Sequence, residues 1–481
     1  MSHTTSTPTR SFGFYLNGNF STHGREVVIT SPFDRSVVAV VYEATTDDVE
    51  TAIASAVEAF AVTRKLSSYQ RASTLHKIAD GIRQRREEFA RNICQEAGKP
   101  IKTARIEVDR GTYTFEVAAE EAGRIYGEYI PLDTLEATAG RWGLLRHFPL
   151  GPVFAITPFN FPLNLVAHKV APAIAAGCPL ILKPAPQTPV TALMLADVVQ
   201  EAGWPEGALA VMPLSNEDAA LLVADDRVKL LTFTGSAAVG WALKNKAGKK
   251  RVTLELGGNA GVIVHGDADL EYAAHRCVAG GFSYGGQTCI SVQRILVEQP
   301  VFERFTKLLL KGVSNLKCGN PMHDDTDVPP LIRERDAVRV LQWIDEAVQG
   351  GAKLLSGGKR NGSFLNPTVL TGTTPEMQVN SAEVFAPVVT VEAYDDFRDA
   401  VRRVNLSSYG LQAGVFTRDV GRIQLAFEEL EVGGIIVGDV PSFRIDQMPY
   451  GGIKDSGLGR EGLRYSIEDM TERKLLVMAP R

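Results

Sequence analysis

Between residues 152 and 264, five short apolar runs, PVFAITP, PLILKPA, ALAVMP, KLLTFTG and RVTLELGG, alternate with helical segments such as LNLVAHKVAPAIAAG and VTALMLADVVQEAG. No other feature constrains the fold as much. Strands alternating with helices specify βαβ units and a mostly parallel sheet. In such sheets ligands bind beyond the carboxyl ends of the strands, and the polar and glycine-rich turns of this chain cluster there.

A second alternating region runs from about 260 to 440, with strands in NAGVIVH, QRILVE, APVVTVEAY, AGVFT and GGIIVG. Ahead of both, residues 45–125 read as helices, opened by a Thr-Asp capping signal in TTDDVETAIASAVEAFAVT. RWGLLRHFPLG alternates like a strand, MPYGGIKDSGLGREG is a glycine-rich loop, and DMTERKLLVMAP looks like a terminal strand. At 481 residues the chain exceeds one hydrophobic core, so two or three domains are expected. With 22% charged residues and a net charge of −5, nothing favours binding to nucleic acid or an anionic membrane. No run of eighteen apolar residues suggests a membrane span. The start, MSHTTSTPTR, lacks an apolar signal core and is expected to be a short disordered tail. The five cysteines, Cys94, Cys178, Cys277, Cys289 and Cys318, are odd in number and show no CxxC pairing. That argues against a disulfide framework or a structural metal site and for a reducing compartment, the cytoplasm by default.

Several strand ends carry groups capable of chemistry. Cys289 stands in GGQTCIS, on a polar, flexible turn. A catalytic thiol must be approachable and polarised towards thiolate; a loop cysteine of no consequence is the competing reading. In LELGGNA, Glu255 is the one charge between a β-like run and a Gly-Gly turn. A carboxylate partly desolvated there could have a raised pKa and act as a general base, or be a salt-bridged glutamate. In TPFNFPLN, prolines flank Asn160 and leave its amide as a donor suited to an oxyanion, or as a turn stabiliser. Lys183 ends another strand in ILKPAPQTP, and Gly235, Ser236 and Gly240 in FTGSAAVG suggest a phosphate site at a helix N-terminus.

Together, PFNFP, KPAPQTP, FTGSAAVG, LELGGNA, GQTCIS, EVFAPV and YGGIKDSGLGREG, in one order from about residue 14 onward, resemble the aldehyde dehydrogenase superfamily. The resemblance implies an α/β fold with a Rossmann-like cofactor domain (1–126 and 150–255), an α/β catalytic domain (256–450) and a small β oligomerisation element (127–149 and 468–481). It implies a homodimer or homotetramer that oxidises an aldehyde with NAD or NADP. Cys289 would attack the aldehyde, Asn160 and the Cys289 N–H would hold the oxyanion, and Glu255 would activate water to hydrolyse the thioester. Lys183 and Glu383 would bind the cofactor riboses and Ser236 the pyrophosphate. Phe385 would lie near the nicotinamide, with Thr157, Pro158, Gly235, Gly240 and Leu256 also on the cofactor. No metal is implied.

Glu255 favours hydrolysis over CoA-dependent acylation, because acylating members typically lack it. The other readings are esterase-type acyl transfer on the same fold and a non-catalytic scaffold. Two positions depart from well-known family patterns. Pro186 replaces a ribose-binding glutamate, which leaves NADP admissible. Thr288 replaces the arginine of members that take phosphorylated aldehydes, which argues against a strongly anionic substrate. Candidate substrate contacts are Phe161, Thr288, Arg110 and Arg444, the arginines as carboxylate binders or as structural groups; Trp142 and Phe443 have no assignment. FRIDQMPYGGIKDSGLGREG looks most like the lactaldehyde and semialdehyde branches, so a small hydroxy- or semialdehyde is the expected substrate.

Overall fold

The computed structural model describes residues 10–479. The expected N-terminal tail, apart from Arg10, lies outside the described residues, as do residues 480–481. The five apolar runs become five parallel strands at the centre of an eight-stranded sheet. From one edge the order is Gly457–Leu458, Arg251–Glu255, Leu230–Thr234, Val153–Ile156, Leu180–Lys183, Leu209–Val211, Phe14–Leu16 and Asn19–Ser21. The chain first steps outward from Val153–Ile156 on one side, then returns to build Leu230–Thr234 and Arg251–Glu255 on the other. The order therefore reverses between Val153–Ile156 and Leu230–Thr234, and a crevice opens at such a reversal.

Helices cover this sheet. Every residue of Asn164–Ala176 is buried, so that segment is enclosed on all sides rather than amphipathic. The region 45–125 forms four helices, Thr46–Thr63, Ser68–Gln84, Arg86–Ala97 and Ile101–Ala122. The first opens with the expected capping box, in which the Asp48 carboxylate accepts from the Thr45 N–H at 2.8 Å.

The second alternating region forms a seven-stranded sheet in the order Lys353–Ser356, Thr368–Thr371, Val388–Tyr394, Val292–Glu298, Ala260–Val264, Gln412–Phe416 and Gly434–Val437. All its neighbours pair parallel except the Lys353–Ser356 edge. The first two of these strands, and the short strands between residues 11 and 43, go beyond the sequence reading. They are brief or half exposed and carry little periodicity. A third sheet joins Glu128–Pro131, Trp142–Pro149 and Thr471–Met478, all antiparallel. Among the described residues no helix is long and apolar enough to cross a membrane.

The glycine-rich loop is more ordered than its composition suggests. Ile453–Lys454 pairs with Tyr409–Gly410, Gly457–Leu458 pairs with Leu254 and Glu255, and Tyr450 bridges Glu461. The loop thus straps the two large sheets together. Glycine is required where it crosses Gly433, because a β-carbon there would overlap the Gly451 carbonyl oxygen. Gly433→Ala should cost about 1–3 kcal/mol of stability through this overpacking. A denaturant midpoint equal to that of the natural protein would refute the close approach.

Candidate active site

The helix Leu270–Phe282 delivers the chain to Cys289 through an abrupt reversal. Tyr284, Gly285 and Gly286 have φ of 52°, 64° and 70°, three left-handed residues in succession. For a tyrosine this backbone is strained; Tyr284 is held by burial and by its phenol donating to the Ala97 carbonyl at 2.8 Å. The glycines serve the protein's own backbone more than a ligand. A β-carbon at Gly286 would overlap the Ala386 carbonyl. Gln287 then fastens the turn, accepting from the Ile332 N–H at 2.9 Å and donating to the Tyr284 carbonyl at 3.2 Å.

Cys289 is half-buried at the base of a cavity of about 640 Å³. Burial pushes its thiol up to about 12, against a hydrogen bond to Tyr450 that pulls it down. Asn160 is buried beside it. Its amide nitrogen donates one hydrogen to the Gln287 carbonyl at 3.0 Å, which leaves the second hydrogen, and Oδ1 has no partner. The amide is therefore less free than the sequence suggests: one of its two donors is spent on orientation.

Glu255 ends its strand as expected, and neither carboxylate oxygen has a hydrogen-bond partner. Burial, and then the charge of Glu461, holds its carboxyl well above the usual range. Glu461 lies the other way. Burial raises it, but Lys169 and Arg444 outweigh that and bring it down to about 2. Lys169 and Glu461 form a buried ion pair, and Arg444 Nη2 reaches Glu461 at 3.2 Å. Environment alone thus sets the two carboxyls apart, raising Glu255 and lowering Glu461.

The opposite side of the cavity is formed by the switch-point turns. Pro158, Gly235, Ser236, Leu256, Glu383 and Phe385 line it. Ser236 precedes the helix Ala237–Lys246 without capping it, so the first helical N–H groups keep their affinity for an anion. A β-carbon at Gly235 would strike the Phe233 ring. Glu383 accepts from the Gly258 N–H at 2.9 Å and is raised to about 7 by burial. Phe385 has φ 55° and meets Phe159 edge to face at 6.0 Å. These features suit a dinucleotide: an uncapped helix end, a close backbone approach and an aromatic edge. Thr157 and Lys183 lie at neighbouring strand ends, outside the cavity wall. Gly240 packs on Leu256 and Phe233, and its role is helix-to-sheet contact.

On the remaining wall stand Phe161, Thr288, Arg110 and Arg444. Phe161 lies beneath the Lys99 ammonium, 3.6 Å from the ring centroid. Arg110 Nη2 and Arg444 Nε are buried without partners. Burial and the neighbouring Arg444 charge both lower Arg110. Asp446 anchors the Arg444 loop, accepting from the Thr114 hydroxyl at 2.6 Å and facing His168 at 3.3 Å. Trp142 stacks on Tyr129 in the third sheet, and Phe443 is exposed.

Sequence reasoning passed over Tyr450, Glu461, Lys169 and Lys99. The first two were in plain view as the aromatic and the second acid of MPYGGIKDSGLGREG. The two lysines lie in helical or loop segments with no local signal of burial.

The charge state of Glu255 has a measurable consequence. In the unfolded chain this carboxyl ionises near its ordinary value of about 4.3, whereas the folded protein keeps it protonated to higher pH. Its contribution to stability is therefore intact below the unfolded value and lost as pH rises towards the folded one. Glu255→Gln cannot ionise and should melt above the natural protein, by a margin that widens as pH rises above about 5. A margin independent of pH would refute the assignment.

The aldehyde dehydrogenase family model matches residues 20–476. The chain is 44% identical over 478 residues to a 3-sulfolactaldehyde dehydrogenase of Priestia aryabhattai, covering 99% of each. Aldehyde dehydrogenase 21 from Physcomitrella patens, solved in complex with the reaction product succinate, superposes with a TM-score of 0.97 at 44% identity, covering 98% of this chain and 99% of that one. Glyceraldehyde-3-phosphate dehydrogenase from Methanocaldococcus jannaschii, complexed with NADP, gives 0.91 at 36% identity, covering 95% and 100%. Members of the family use NAD or NADP. The fold, the match along nearly the whole length and these relatives make the chain a member of the aldehyde dehydrogenase family, an oxidoreductase of aldehydes.

Proposed function

We propose that this enzyme oxidises a small aldehyde bearing an anionic group, such as a sulfonate or carboxylate, to the free acid through Cys289. The observation that carries the substrate class is the pair Arg110 and Arg444. Both are guanidinium groups with a buried, unpartnered nitrogen, and both line the cavity that holds Cys289. An anion between them would satisfy both donors and relieve the like-charge contact. The 3-sulfolactaldehyde relative and the succinate bound to the moss enzyme support the same class. Thr288 is then no obstacle, since the cations come from the helix Ile101–Ala122 and the loop around Arg444 instead.

In this reading the Cys289 sulfur attacks the aldehyde carbon, and the resulting oxyanion takes hydrogen bonds from the Asn160 amide and the Cys289 N–H. Bound nicotinamide supplies the hydride acceptor that turns the thiohemiacetal into a thioester. In its ionised form Glu255 accepts a proton from water, hydroxide adds to the thioester carbon, and the C–S bond breaks to return the thiolate. Its raised pKa suits a base working near neutrality. Lys183, Ser236 and Glu383 would hold the cofactor. Pro186 is exposed and carries no charge, so a 2′-phosphate meets no repulsion there and NADP is accepted. The third sheet presents Leu475, Leu476 and Val477 to solvent, and we assign it to subunit assembly. The five free thiols suit the cytoplasm.

Cys289→Ala should lose turnover while retaining cofactor binding by fluorescence; activity in that variant would remove the nucleophile. Arg110→Met should raise KM for a sulfonated or carboxylated three-carbon aldehyde roughly tenfold to a hundredfold, with propanal turnover unchanged. An equal loss for charged and neutral aldehydes would refute anion recognition.

A further inference from the structure

Tyr450 contacts the reacting atom of the site. Its phenol lies 3.1 Å from Cys289 Sγ, the one side-chain hydrogen bond the sulfur makes among the described residues. The ring is buried, packed against Ile290 and Leu411, and covered by the Arg444 guanidinium 3.9 Å from its centroid. The backbone is equally constrained. Tyr450 N–H donates to the Met448 carbonyl at 2.8 Å, and its own carbonyl accepts from the Glu461 N–H at 2.6 Å. A side chain held on its ring and along its backbone offers its hydroxyl to a fixed point, and that point is the sulfur.

We propose that Tyr450 is a catalytic residue whose phenolic O–H donates to Cys289 Sγ and stabilises the thiolate that attacks the aldehyde. No proton leaves the phenol. As the C–S bond forms, charge passes from sulfur to the aldehyde oxygen and the hydrogen bond loses its ionic partner. When the C–S bond breaks during hydrolysis, the departing thiolate regains it. Arg444 on the ring face draws electron density from the phenol and makes it a better donor.

The groups facing the sulfur agree with this order. Glu255 and Glu383 oppose its ionisation, while Tyr450 and Arg444 favour it. Burial, and then the sulfur's own charge, raises the Tyr450 phenol well above its ordinary value, so it remains the donor when the thiol ionises. Arg444 is the one cation among these groups, and it lies on the ring rather than on the sulfur. Tyr450 therefore supplies the direct stabilisation.

The inference rests on Cys289 being the nucleophile, and its test is independent of turnover. Tyr450→Phe keeps the ring and removes the hydroxyl. Iodoacetamide labelling of the enzyme without cofactor or aldehyde, followed on the Cys289 peptide by mass spectrometry, separates this thiol from exposed Cys318. The midpoint of labelling against pH should rise by about one unit, with about a tenfold slower rate near pH 7. The pre-steady-state burst of reduced cofactor should slow by the same factor. An unchanged or faster labelling profile would overturn the role of Tyr450. An active Cys289→Ala variant would instead overturn the nucleophile itself. Should Tyr450→Phe fail to fold, 3,5-difluorotyrosine at position 450 gives a stronger donor and should lower the labelling midpoint; no shift would again overturn the proposal.

Discussion

Ionisation in a buried site is the constraint on which the rest depends. In the proposed mechanism Cys289 and Glu255 each change protonation state, yet both lie where burial opposes the charged form. The surrounding groups offset that penalty unequally. Glu461 takes the charge of Lys169 and part of Arg444 and is lowered, while burial and then the Glu461 charge raise Glu255 beside it. A thiol with a raised pKa depends on a donor placed at the sulfur.

The two parallel sheets make this arrangement geometrically possible. The strand ends of the eight-stranded sheet carry Glu255 and Lys183 and lead into the turn holding Asn160. The turn before Val292–Glu298, in the seven-stranded sheet, carries Cys289. Neither sheet holds the whole site. The strap from Tyr450 to Glu461 closes the gap: it pairs with Glu255 at Gly457 and reaches the Cys289 sulfur through Tyr450. Its glycines are needed for close approach. A β-carbon at Gly451 would sit 2.9 Å from Glu255 Oε1 and 2.8 Å from the Gly459 carbonyl.

Strand ends were legible in the sequence because β-rich runs that stop at Gly, Pro or Asn mark where a parallel sheet presents its ligands. Glu255, Asn160 and Lys183 fall there, whereas Cys289 stands on the turn that leads into Val292–Glu298 and was marked by its polar, glycine-flanked setting. Tyr450 and Glu461 were hidden by the composition of their own loop, where glycines suggest flexibility although the backbone is paired at three points. Lys169 was hidden differently, on a helix whose every residue is buried, where a lysine reads as an error until Glu461 is seen opposite it. Arg110 and Arg444 were recognisable as cations, but not as a pair, because they come from elements more than three hundred residues apart. Their meeting is a tertiary fact with no local signature.

That meeting also bears on why the substrate end of the cavity would tolerate two buried guanidinium groups. Arg444 has Glu461 for company, but Glu461 also serves Lys169, and among the described residues Arg110 makes no ion pair of its own. Burial and then the Arg444 charge act against Arg110, and the Asp446 and Glu107 charges offset them only in part. Sites of this kind persist where a ligand completes them. In the proposed reading, an anionic end on the aldehyde would supply counter-charge when the carbonyl is presented to Cys289, so recognition and charge balance would become the same event. A neutral aldehyde would leave the cations as they are and gain nothing from them. On that reading the specificity of the pocket would follow from its own electrostatic incompleteness.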